Sequence, residues 1–152
     1  MDYVELISKT NELAKGEVDD FLKLTPKAKI KKISSIVKRA IVDGYKASKY
    51  KSLMTKDKKY GENYKASEYN EKLNIARASE FIGSLNDMEK ELLISHLQDT
   101  LEGAFNEKDL SLRLDVADYI RYVCRLVHHE DLAGDISTIK SKTDLLITNM
   151  EM

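Results

Sequence analysis

Apolar residues recur at about 3.6-residue spacing along almost the whole chain. This periodicity constrains the fold most, because an amphipathic helix has to bury its apolar stripe against another helix. Punctuation is scarce. One Pro and six Gly in 152 residues leave too little turn chemistry for the many tight turns of a sandwich or barrel. The expected fold is all-α, a single compact bundle of about six helices forming one domain over residues 1–152, with a hinge near 55–64.

Local chemistry marks the boundaries. Val4, Ile7 and Leu13 predict a first helix from residue 2 to Ala14, stopped by Gly16, with a short turn around Val18, Phe21 and Leu22. Thr25 is suited to accept a backbone N–H as N-cap, and Pro26 has a φ already fit for the first helical position. From there Ile30, Ile33, Val37, Ala40, Ile41 and Gly44 share one face. Lys27, Lys31, Lys38 and Lys49 lie on one flank, and Lys32, Arg39 and Lys46 on the other. Beyond Ala47 the register fails, because Lys51 would rotate onto the apolar face, so a bend or an end belongs between Ser48 and Thr55 of the basic helix 26–54. Residues 56–63 read as a solvated loop. Ala66, Tyr69, Leu73, Ala76 and Ile82 predict a helix ending near Gly83. Asn86 with Glu89 has the spacing of a capping box and opens a helix through Met88, Leu92, Leu93, Leu97, Leu101 and Phe105. Asp109 begins the next helix, expected to be central, with Leu110, Leu114, Ala117, Ile120, Val123, Cys124 and Val127 on its apolar face. Leu132, Ile136, Ile139, Thr143, Leu146 and Met150 alternate spacings of four and three, the seam of a bundle or of a pairing between chains. The only internal echo, Y-K-A-S-x-Y at residues 45–50 and 64–69, matches no known helical repeat length.

The formal net charge of −1 conceals a sorted sequence. Residues 1–76 hold 17 basic and 11 acidic side chains, and residues 77–152 hold 8 and 15. Residues 23–65 alone carry 14 basic and 3 acidic groups. Such polarity has two readings: a site for nucleic acid or an acidic protein, or two halves whose surfaces complement each other.

Several chemistries lack their residues. No H-E-x-x-H, C-x-x-C, G-x-x-x-x-G-K-[ST] or G-x-G-x-x-G is present, so no catalytic residue, metal site or cofactor is assigned. His128-His129-Glu130-Asp131 is rich in ligand types, but adjacent side chains on a helix diverge by about 100°; it reads as a polar helix end. Cys124 sits on an apolar face, as a buried thiol would, and a lone Cys suits a reducing cytoplasm. Glu68, Glu71, Glu89, Asp99, Glu102, Asp115 and Asp118 could form carboxylate clusters, but Asp99 with Glu102, or Asp115 with Asp118, imitates only half of the E-x-x-E plus E-x-x-D pairing of all-α, metal-dependent nucleotide hydrolases. No stretch is apolar enough for a membrane span, and the N-terminal residues lack the order of a signal peptide.

Binding is therefore the favoured reading. Its candidate contacts are Lys27, Lys31, Lys38, Arg39, Lys46, Lys49 and Tyr50, acting on an acidic protein or a protein–nucleic-acid complex. Usage rich in Lys, Ile, Asn and Tyr is typical of AT-rich bacterial or phage genomes, which extends the reading to a phage or mobile-element regulator or inhibitor of a host system. Direct nucleic-acid binding is the alternative. Tyr45, Tyr50, Tyr60 and Tyr64 interleave with the lysines, and Ala40 to Gly44 resembles the A-x-x-x-G turn of helix-turn-helix proteins over about 20 residues. That resemblance departs at Arg39 and Asp43, where the motif is apolar. A homodimer is the further possibility, with Leu132, Ile136, Ile139 and Leu146 as its interface.

Overall fold

The computed structural model describes residues 3–127 and 133–151. His128, His129, Glu130, Asp131 and Leu132 lie outside the described residues. The fold is all-α. Among the described residues there are seven α-helices and one short 3-10 helix, Lys58–Tyr60. The helices are α1 Tyr3–Gly16, α2 Val18–Leu22, α3 Pro26–Met54, α4 Gly61–Gly83, α5 Asp87–Phe105, α6 Leu110–Leu126 and α7 Ala133–Glu151. They group into two compact units, residues 1–84 and 85–152. The division falls between α4 and α5. The 55–64 segment is internal to the first unit, where the Asp57 side chain caps the 3-10 helix by accepting from the Lys59 amide.

In the first unit, α3 and α4 form an antiparallel pair, with Asp43 opposite Asn74 and Tyr50 opposite Tyr60. The start of α3 is fixed by Thr25, whose side chain accepts from the Ala28 amide at 3.2 Å, with Pro26 next in line. Ile30, Ile33, Ile36, Val37, Ala40 and Ala47 supply its buried face. Lys29 is buried on that same face, its ammonium 5.7 Å from the centre of the Phe21 ring. Phe21 stacks on Phe81 at 4.3 Å, tying α2 to α4. Gly44 faces the Glu71 side chain closely: a Cβ there would lie 3.2 Å from a Glu71 carboxylate oxygen, which would have to shift by a few tenths of an ångström.

Two expectations are corrected in this unit. Residues 40–44 make no turn, because α3 runs unbroken from Pro26 to Met54, so the helix-turn-helix likeness does not extend to structure. The buried face of α4 is Ser67, Asn74, Ala78, Phe81 and Ile82, and Ala66 is exposed. That face is turned by roughly a third of a revolution from the expected one, because two of its positions are polar and the apolar spacing does not register them. The Y-K-A-S-x-Y echo is accordingly not repeated in packing: Ala47 is buried while its counterpart Ala66 is not.

In the second unit, α5, α6 and α7 pack against one another in all three pairings. The capping box is formed: the Asn86 side chain accepts from the Glu89 amide at 2.9 Å, and the Glu89 carboxylate accepts from the Asn86 amide at 3.0 Å. Asp109 caps α6 by accepting from the Ser111 amide. The core is built on Leu93, Leu97, Leu101, Ile120, Val123 and Leu146. Two expected core residues of α6, Leu110 and Leu114, are exposed, because the helix is buried only from Ala117 onward. Met88, Leu92 and Phe105 of α5 are likewise on the surface.

Candidate binding surface

The sequence-derived contacts fall on the outer face of α3, but they do not act as one group. Lys27, Lys31, Lys38, Arg39, Lys46 and Lys49 are all exposed. Tyr50 is half-buried instead, its ring stacked on Tyr60 at 6.2 Å and 22°, where it holds the connection to α4. Lys59 places its ammonium 5.1 Å from the centre of the same Tyr60 ring. Tyr50 and Tyr60 thus stack on each other.

A shallow groove of about 550 Å³ runs between α3 and α4 and selects three of the seven. Lys38, Arg39 and Lys46 line it together with Ser35, Val42 and Asp43 from α3 and Asn70, Asn74 and Arg77 from α4. Lys38 belongs to one flank of α3 and Arg39 and Lys46 to the other. They converge because Val42 lies between them, nine residues and about two and a half turns from the buried Ile33. Four cations and one carboxylate line it, and one of the four, Arg77, is paired to Glu17 just outside the lining. Arg39 and Lys46 form no ion pair among the described residues.

The floor of the groove is a fixed polar chain. The buried Asn74 donates its amide N–H to Asp43 Oδ2 at 3.0 Å and accepts at Oδ1 from Arg77 Nη1 at 3.2 Å. Arg77 also donates from Nε and Nη2 to Glu17 Oε1, at 3.1 and 2.7 Å. With its donors directed to Asn74 one turn back on α4 and to Glu17 at the start of α2, Arg77 is held in one orientation on the groove wall. Asn74 and Arg77 were not among the sequence-derived contacts. The signal that could have found them is their spacing of three on α4, which puts an amide and a guanidinium on the same side of the helix.

The carboxylates that resembled half of a metal site are dispersed. Glu68 pairs with Lys72 at 3.1 Å, Glu71 lies against Gly44, and Glu89 is buried in its capping box. Asp99 and Glu102 line a separate groove of about 570 Å³ in the second unit, with Phe105, Ile139, Lys142 and Leu145. Asp115 is exposed and Asp118 half-buried on α6. Among the described residues no group of three or more His, Cys, Asp or Glu is placed to hold a metal ion. His96 shares a 2.9 Å hydrogen bond with the Tyr119 hydroxyl. Cys124 is 2% exposed, and burial pushes its thiol above the ordinary value, against a smaller opposing effect from Lys140.

The α7 stripe belongs to the second unit's own core. Ile136, Ile139, Thr143 and Leu146 are buried there, so these residues offer no free face to a second copy in this fold. The reason is the three-helix arrangement, in which α7 is covered by α5 and by α6. No described helix is long and apolar enough to cross a membrane.

The chain is therefore an all-α protein with a cation-lined groove on one unit and an acidic second unit. It matches no family model, no curated protein and no solved structure.

Proposed function

We propose that this chain is a non-enzymatic helical binding protein whose basic α3 surface engages an acidic protein or a protein–nucleic-acid complex. The observation that carries the reading is the groove in which Lys38, Arg39 and Lys46 stand together beside Asp43, with Arg77 on the opposite wall already paired to Glu17. Such a convergence favours an anionic partner and raises the rate of encounter with it. The buried, protonation-favoured Cys124 is in keeping with a structural thiol in a reducing compartment.

Charge reversal tests the assignment. Lys38→Glu, Arg39→Glu and Lys46→Glu together should abolish capture of the partner from the native host at low salt while far-UV circular dichroism stays unchanged. Capture that survives the triple change would remove α3 as the contact.

Direct nucleic-acid binding is the second reading, supported by the same lysines with the exposed Tyr45 close by. It makes a separate demand. Affinity for duplex or single strand should fall steeply with salt, and nuclease treatment should eliminate capture. Retention of the partner after nuclease favours the protein.

A further inference from the structure

The groove carries more than charge. Val42 is 49% exposed at its centre and Tyr45, 57% exposed, follows three residues on, so the outer face of α3 has an apolar middle between cations.

The spacing defines what fits. Arg39, Val42 and Lys46 follow one another at intervals of three and four residues, so the two cations stand about 10.5 Å apart along α3 with the Val between them. A second helix laid along this face repeats the same rise. It presents a carboxylate to Arg39, an apolar side chain to Val42 and a carboxylate to Lys46 when its sequence reads acidic, two residues, apolar, three residues, acidic. We infer that the groove docks an amphipathic helix of an acidic protein partner carrying that pattern. This rests on the proposed role of α3 as the partner-contacting surface, and adds to it the partner's chemistry and Val42 as the residue that determines specificity.

The same features disfavour a phosphate backbone as the occupant. A nucleic-acid strand would satisfy Arg39 and Lys46 but would set the Val42 methyl groups against charged phosphates, with no apolar contact to offset their desolvation. An amphipathic helix satisfies both. The fixed chain from Asp43 through Asn74 to Arg77 keeps the α4 wall in place, so docking needs little reordering on this side.

Fluorescence anisotropy on the purified full chain tests this with three labelled probes. They are a three-heptad peptide of the repeat Glu-Ala-Ala-Leu-Ala-Gln-Ala, the same peptide with every Leu changed to Gln, and a short oligothymidylate. The Leu peptide should bind, and Val42→Ser should weaken it about fivefold. Arg39→Glu with Lys46→Glu should weaken it more than tenfold. Val42 is exposed and Ser has a similar helix propensity, so the fold is expected to persist, and circular dichroism verifies that it does. Equal binding of the Leu and Gln peptides, or no effect of Val42→Ser, overturns the apolar-centred groove. Binding of the oligothymidylate without the Leu peptide overturns it in favour of nucleic acid. Neither result touches the assignment of α3 as the contact surface, which fails only if the triple charge reversal at Lys38, Arg39 and Lys46 leaves native partner capture intact.

Discussion

Asn86 and Glu89 illustrate how much a pair of side chains contributes at a helix start. Their reciprocal hydrogen bonds occupy two backbone donors that α5 would otherwise leave without partners, and Glu89 does so from a buried position. Asn86→Ala should therefore cost about 1 kcal/mol, measured as a lowered urea midpoint by circular dichroism. Glu89→Gln, which keeps an acceptor for the Asn86 amide, should cost less. An equal loss from both would mean that charge at the helix N-terminus, rather than the reciprocal bonds, stabilises the start. These residues were legible in the sequence because a cap is a local device, set by side chains three residues apart. The groove floor was not. Glu17, Asp43, Asn74 and Arg77 meet across separations of 31 and 60 residues, and only the packing of α3 and of the α1–α2 segment on α4 brings them together.

The helices themselves divide along the same line. The limits of α3 follow from Thr25, Pro26 and the loss of apolar register after Ala47, all visible in the sequence. The face of α4 does not, since the buried Asn74 finds its partner on α3, donating to the Asp43 carboxylate at 3.0 Å. The α7 seam is a further case, where Thr143 is fully buried among apolar neighbours and its hydroxyl donates to the Ile139 carbonyl at 2.8 Å. That carbonyl already accepts within the helix, so the bond adds little. Thr143→Val, of nearly the same shape, should leave stability unchanged or raise it, whereas Thr143→Ser should lower it by about 1 kcal/mol through the missing methyl. A thermal melt of both variants checks this, and a large loss from Val would show that the hydroxyl bond matters.

At the scale of the molecule, the charge boundary and the structural boundary coincide. Residues 1–84 carry 18 basic and 12 acidic side chains, and residues 85–152 carry 7 and 14, so the sorting seen along the sequence is a sorting between two units. The division at 84 was hidden from periodicity, which sees each helix but not which helices share a core. Each unit has its own buried core, so fragments 1–84 and 85–152 expressed separately should each show helical circular dichroism and a cooperative melt. A fragment that stays unfolded alone would show that its core depends on the other.

The same partition governs how the protein meets a charged matrix. With a sequence pI of about 6.3, a molecule of uniform surface would pass through both kinds of ion exchanger at mildly acidic pH. Here the formal charge of −1 at pH 7 is a balance between a unit at +6 and one at −7, so near its isoelectric point the protein still carries a cationic unit for a sulfonate resin and an anionic one for a quaternary amine. It should be retained on both in low salt, and released from both as the Debye length shortens.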